Sequence, residues 1–322
     1  VSLPPEFALI ARHFRGLAGE GALELSDDAA ILAPPAGREL VLAADAMVEG
    51  VHYLPDDPPE TIGRKLLRVN LSDLAAMGAE PLAYLMTTAL PRATGPEWLE
   101  GFAAGLAADQ REFGLHVLGG DTVSIPGPAC LSLTIIGTVP PGAALRRLGA
   151  RPGDDLWVSG TIGDGALGLA VLQGRIAADP EGHLAQRYRL PEPRLALGQA
   201  LRGLARAAMD VSDGLAQDLE HLCRAGGLGA VLELAALPLS PPAAALVAAD
   251  PSWLPRLATG GDDYELLFAA GPADASRVEA AGRAAATAVT RIGRFTEGCS
   301  EVIVLAKDGT AMELPRGGWS HF

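Results

Sequence analysis

Aspartates recur where apolar runs stop, and this pattern constrains the chain more than any other feature. Leu25-Ser26-Asp27-Asp28, Leu42-Ala43-Ala44-Asp45, Leu118-Gly119-Gly120-Asp121 and Met209-Asp210-Val211-Ser212-Asp213 each put carboxylates at the end of an apolar stretch. Asp73 lies inside Val69-Asn70-Leu71-Ser72-Asp73-Leu74. Strand termini deliver side chains to one edge of an α/β sheet, so carboxylates from distant segments can converge there on hard cations. That is how a magnesium-nucleotide site is built. Taken singly, each aspartate also reads as a helix cap or turn residue. Asp73 fits that reading least, because it falls mid-helix on a face shared with Leu66 and Met77, where an unpaired carboxylate is costly.

Charge narrows the partners. The net charge is −14 and the only lysines are Lys65 and Lys307, which excludes the clustered basic footprint of a nucleic-acid binder. An acidic chain that holds a phosphorylated ligand needs bridging cations or a few local arginines. With 322 residues, 49% of them hydrophobic, the chain can bury two cores and is not expected to be disordered. Cys130, Cys223 and Cys299 are widely spaced, without a C-x-x-C pair or a zinc-spaced histidine, so a reduced cytoplasm is the expected location. The stretch from Ala235 to Ala258 is broken by prolines, Asp250 and Arg256, and Val1 to Glu6 lacks the pattern of a signal peptide, so no membrane span is expected.

Proline and glycine between Val139 and Asp154 predict a domain boundary, placed at 139/140. Upstream, the pattern predicts a helix capped by Thr61 and running to Met77, a second from Pro96 to Phe113, and a short strand from Leu115 to Leu118. Downstream it predicts an exposed loop over Ala178 to Pro193, a helix over Arg194 to Ala205, a strand over Ala207 to Val211 and a helix from about Ser212 to Arg224. Strands alternating with helices predict an α/β, or α+β layered, architecture.

There is no P-loop sequence, so ATP chemistry here is not that of a P-loop fold. A G-x-G-x-x-G match does occur, Gly163-Asp164-Gly165-Ala166-Leu167-Gly168, with Asp179 as a candidate ribose-binding acid. In a chain with 39 glycines, a tight strand-to-helix turn explains it better than a dinucleotide. His52 reads as a loop histidine or a ligand contact. Arg146 and Arg147, in the proline-rich linker, read as surface charges or as a phosphate clamp. Trp319 reads as a tail anchor or as a face for stacking on a planar heterocycle.

At these residues the chain resembles the thiamine-monophosphate kinases, of the superfamily that includes aminoimidazole ribonucleotide synthetase. The motifs that carry the resemblance are Ser26-Asp27-Asp28-Ala29-Ala30, Asp45 to Tyr53, Val69 to Ala79, Gly119 to Thr122, Asp210 to Leu215, Gly260 to Leu266 and the Gly-Trp-Ser-His-Phe ending, in order over nearly the whole length. The resemblance implies two domains of the aminoimidazole ribonucleotide synthetase-like type with the active site in the cleft between them. Residues 1–139 would form a metal- and ATP-binding dimerisation domain, and 140–322 would complete the ATP and substrate site. The implied activity is ATP-dependent phosphorylation of thiamine monophosphate to thiamine diphosphate in a homodimer. Asp28, Asp45, Asp73, Asp121, Asp210 and Asp213 would hold several Mg²⁺ ions. Gly120, Asp121, Arg147 and Ser212 would line the ATP site, and His52, Asp262 and Trp319 would contact the substrate.

This chain departs from the family pattern in three places. Ala43 and Ala44 stand where hydroxyl residues are usual, Asp262 where a glutamate is usual, and Val123 where a second threonine is usual. The acceptor phosphate is ionised near neutral pH, its second pKa being about 6, so no general base is expected and direct in-line transfer is. The alternatives are a selenophosphate or aminoimidazole ribonucleotide synthetase-like enzyme, an NAD(P)-dependent dehydrogenase resting on Gly163 to Gly168, and a non-catalytic nucleotide-binding scaffold.

Overall fold

The computed structural model describes residues 8–177, 179–298, 301–314 and 318. Trp319 and Cys299 therefore lie outside the described residues. The chain divides into two compact units, Val1–Leu74 with Glu80–Gly142, and Ala75–Ala79 with Ala143–Phe322.

In the first unit, β1 (Glu39–Val48), α1 (Pro59–Ala76), β2 (Glu80–Pro91), α2 (Pro96–Phe113), β3 (His116–Ile125) and β4 (Cys130–Val139) follow one another. The sheet order is β1-β4-β2-β3, antiparallel except for the parallel β2–β3 pair. Both helices lie against one face of it. Gln110 of α2 donates from Nε2 to the Tyr84 hydroxyl at 3.0 Å, and the Asp45 N–H donates to Asn70 Oδ1 of α1 at 3.2 Å. Leu66, Leu67, Leu71, Leu74, Phe102 and Leu106 fill the space between with Leu133, Ile135 and Tyr84, all fully buried. Arg64 and Arg68 of α1 share the buried Asp109 carboxylate of α2, at 2.8 and 2.7 Å.

Helix α1 starts two residues before the expected Thr61 cap. Pro59 opens it, since a first-turn residue needs no N–H, and the Thr61 hydroxyl instead donates to the Pro58 carbonyl at 2.8 Å. Helix α2 has the expected bounds, with Pro96 at its first position and Gly114 in a left-handed cap at φ 71°. Strand β3 is the larger correction. It continues through Gly119-Gly120-Asp121 to Ile125, so Asp121 sits inside a strand, as does Asp45. In β3 the aspartate ending the apolar run marks where the strand becomes exposed rather than where it stops.

In the second unit, β5 (Asp155–Ser159), α3 (Asp164–Leu172), α4 (His183–Arg189), α5 (Leu195–Ala200), β6 (Ala207–Val211) and α6 (Leu215–Gly226) come first. Then follow β7 (Gly229–Glu233), α7 (Pro241–Ala249), α8 (Trp253–Leu257), β8 (Glu265–Ala270), α9 (Ala275–Ala284), β9 (Val289–Thr296), β10 (Val302–Leu305) and β11 (Ala311–Met312). The sheet order is β11-β10-β7-β9-β5-β8-β6. Leu215, Leu219 and Leu222 of the amphipathic α6 pack on Met209, Val211, Leu267 and Ile292. The segment expected to be an exposed loop contains α4, whose Leu184 and Tyr188 are buried. The expected helix over 194–205 is regular only from Leu195 to Ala200, and α6 begins at Leu215 after a loop that carries Ser212 and Asp213.

Candidate active site

In the first unit, Asp28, Gly120 and Asp121 line one cavity of about 500 Å³, together with Asp27 and Thr122. Asp28 is exposed and its N–H donates to Asp27 Oδ1 at 2.9 Å, which fixes the turn that presents both carboxylates. Asp121 is likewise exposed and accepts the Thr122 N–H at 2.8 Å. Asp45 lies elsewhere in the same sheet. Its register runs Asp45–Leu133–Met86–Gly120 across all four strands, which at one strand spacing per step is about 14 Å.

Asp45 belongs instead with α1. It shares a strand face with buried Val41 and Met47, and its N–H is held by Asn70. The Asn70 Nδ2 donates to the Leu66 carbonyl at 2.9 Å, so this fully buried amide ties helix to strand. Half-buried Asp73 follows one helical turn later. His52 is half-buried too. Its Nδ1 accepts the Val48 N–H at 3.0 Å, which places the proton of the neutral ring on Nε2, and its carbonyl accepts from Lys65 Nζ at 2.9 Å.

In the second unit, two motifs remote in sequence share one place. The Asp262 N–H donates to the Ser212 carbonyl at 2.8 Å, and the Tyr264 N–H to the Val211 carbonyl at 2.7 Å. Glycine permits the contact, because a Cβ on Gly261 would come within 2.6 Å of the Ser212 carbonyl oxygen. Asp210, Ser212, Asp213 and Asp262 are thereby gathered at one end of β6 and β8. Arg147 is exposed on a segment that runs beside β6, where the Ala208 N–H donates to the Arg146 carbonyl at 2.9 Å.

Sequence reasoning missed the carboxylates that hold this second group together. Asp218 Oδ2 accepts the N–H groups of Asp213 and Gly214 at 3.1 and 3.2 Å. Burial pushes its carboxyl up to about 8, and the charges of Asp210 and Asp213 push the same way against those two bonds. Ligand atoms of Asp213, Asp218 and His221 lie within 4.8 Å of one another. The spacing of Asp218 and His221, which share one face of α6 just after Asp213, was a possible signal.

Asp263 is fully buried and accepts the N–H groups of Gly163 and Gly165, at 2.7 and 3.0 Å. Burial pushes its carboxyl up to about 8 despite those bonds. Those are donors that a dinucleotide pyrophosphate would take at a glycine-rich turn, and a carboxylate of this chain already holds them. Glu265, also fully buried, accepts from Ser159 Oγ at 2.6 Å, Arg187 Nη2 at 2.9 Å and Arg194 Nε at 2.7 Å.

Comparison with known proteins gives the family. Residues 26–139 match the N-terminal domain of the AIR synthase related proteins, and residues 151–306 match their C-terminal domain. The thiamine-monophosphate kinase of Caulobacter vibrioides is 45% identical over 323 residues, covering 99% of this chain and 91% of the relative. The crystal structure of thiamine-monophosphate kinase from Stenotrophomonas maltophilia superposes with a TM-score of 0.83 at 40% identity, covering 96% of this chain and 98% of that one. A second structure, AaThiL complexed with AMPPCP and TMP, gives a TM-score of 0.78 at 31% identity, covering 92% of this chain and 91% of that one. Two AIR synthase-like domains, each a mixed sheet layered with helices, and relatives that align almost end to end mean that this chain belongs to the thiamine-monophosphate kinase family.

Proposed function

We propose that this protein transfers the γ-phosphoryl group of ATP to thiamine monophosphate, giving thiamine diphosphate and ADP. The observation that carries the reading is near-complete alignment with thiamine-monophosphate kinases at 40–45% identity. The relative described with AMPPCP, a methylene analogue of ATP, and TMP supplies the pair of ligands.

The donor set fits a hard divalent cation. It is built of carboxylate oxygens, some exposed on a cavity, and burial, with the charges of Asp210 and Asp213 adding to it, pushes the neighbouring Asp218 toward its neutral form, a state that a cation would relieve. Asp28, Asp45, Asp73, Asp121, Asp210 and Asp213 are the residues that would hold magnesium. Magnesium, when bound, neutralises the phosphates of ATP and of the acceptor so that an acidic protein can bring them together. The residues of the chain supply the positioning. Gly120 and Ser212 offer backbone and hydroxyl groups to the nucleotide, and Arg147 offers a planar pair of donors to its phosphates. His52, through Nε2, and Asp262 contact thiamine monophosphate, with Trp319 stacking on it. The acceptor oxygen needs no base, being ionised already near neutral pH with a second pKa of about 6.

On this reading residues 1–139 contribute the metal, ATP and dimer functions, and 140–322 complete the ATP and substrate site. A homodimer is favoured by the face of the first sheet that α1 and α2 leave open. There Leu42 of β1, Leu85 of β2 and Val123 of β3 are 61%, 40% and 42% exposed. Among the described residues no helix is long and apolar enough to cross a membrane, which suits a cytoplasmic enzyme. The test is direct: incubation with ATP, Mg²⁺ and thiamine monophosphate, with chromatographic detection of thiamine diphosphate. Absence of product with Mg²⁺ and ATP saturating would sink the assignment.

A further inference from the structure

Asp262 and Tyr264 both occupy the left-handed backbone region, at φ 70° and 52°. Outside glycine this conformation is strained, so two instances within three residues persist only where the surroundings over-determine them. The surroundings are the glycine-rich turn that the phosphoryl-transfer reading leaves unused.

That turn meets the Asp262 segment at every level. Helix α3 has no side-chain cap of its own, and Asp263, nearly 100 residues away, serves its first N–H groups with both carboxylate oxygens. The Asp263 carbonyl in turn accepts from Arg187 Nη2 at 2.9 Å. A Cβ on Gly165 would stand 2.4 Å from the Asp262 carbonyl oxygen and 2.5 Å from its carbon, and one on Gly260 would stand 2.5 Å from Ala166 Cβ. The backbone of the substrate segment therefore rides directly on the turn.

We propose that the Gly163–Gly168 turn is the seat of the substrate loop, with Gly165 and Asp263 as positioning residues that hold Asp262 in its left-handed conformation against thiamine monophosphate. The proposal rests on the reading of Asp262 as a substrate contact. Gly165 has an ordinary helical backbone, so alanine there adds no left-handed strain, and the three atoms its Cβ would crowd most all belong to Asp262. It tests position rather than helix stability.

Steady-state kinetics of the full-length enzyme, varying thiamine monophosphate and ATP separately, reads the effect. Gly165→Ala is expected to raise KM for thiamine monophosphate at least fivefold and to leave KM for ATP within twofold. Asp263→Asn, which removes one acceptor without adding bulk, is expected to show the same split and stands in if Gly165→Ala does not fold. Gly293→Ala is the steric control, because a Cβ there would stand 1.9 Å from the Val231 carbonyl in the middle of the sheet, remote in sequence from Asp262. It is expected to lower Tm without the split. The seat is overturned if Asp262→Ala raises KM for thiamine monophosphate while Gly165→Ala and Asp263→Asn do not, or if Gly293→Ala raises it equally. If Asp262→Ala itself has no effect, the substrate reading of Asp262 fails and the seat falls with it, a result distinct from the first.

Discussion

The two carboxylate groups of this molecule are built in opposite ways. Asp28 and Asp121 of the first unit are exposed on the wall of a cavity and, among the described residues, are held by hydrogen bonds with their own chain neighbours. Asp218, Asp263 and Glu265 of the second unit are buried, and their partners come from residues up to 106 positions away. An exposed carboxylate costs little to keep ionised and can be spent on a ligand. A buried one must be satisfied before any ligand arrives, so it serves as frame. Removing Asp28 or Asp121 should therefore affect activity, and removing Glu265 should affect stability.

Glu265→Gln should give the largest effect. It leaves the half-buried Arg187 and Arg194 against a neutral group, and the expected loss of about 3–5 kcal/mol would appear in denaturant unfolding. A loss under about 1 kcal/mol would make the buried group no more of a frame than the exposed one. Asp121→Asn should do the reverse. Its stability should stay within about 0.5 kcal/mol of the parent, while kcat at saturating Mg²⁺ falls at least about a hundredfold, or about 2.7 kcal/mol in barrier terms. Unchanged kcat would remove Asp121 from the metal ligands.

Asp218 sharpens the contrast through pH. Its carboxyl is pushed from 3.8 to about 8 in the fold, so its contribution to stability is full below pH 4 and is lost as pH rises toward 8. Thermal unfolding of the Mg²⁺-free protein should show Asp218→Asn narrowing the difference between pH 5 and pH 8, by about 1–3 kcal/mol. An unchanged difference would mean that the carboxylate is ionised in the apo protein. The smallest expected effect is that of Trp319→Ala, which should weaken thiamine monophosphate by about 1–2 kcal/mol and leave ATP affinity unchanged. Loss of Tm with substrate affinity intact would reduce it to a packing anchor.

Local signals in the sequence were legible and distant ones were not. Pro96 and Gly114 frame α2 with residues that act within one turn, and the apolar run of β6 declares itself over five residues. Helix α4 was opaque because a charged segment with only Leu184 and Tyr188 to bury is ordered from elsewhere, by Arg187 reaching Glu265 across 78 positions. The family motifs named Asp210, Ser212, Asp213 and Asp262, but spacing alone gave no reason for them to meet. The backbone bonds between Ser212 and Asp262 supply that reason. Asp218 and Asp263 escaped notice because their partners are main-chain N–H groups, which no side-chain pattern reveals.

Strand β6 ends its sheet, and a lone sheet edge is a template on which a second chain can add. The run from Leu145 to Gly149 lies along it, with the Arg146 carbonyl taking the Ala208 N–H. The stretch that carries Arg147, the residue proposed for the ATP phosphates, thus covers an edge otherwise open to strand-to-strand pairing. Changes made there to alter catalysis will also alter how much of the protein stays in solution.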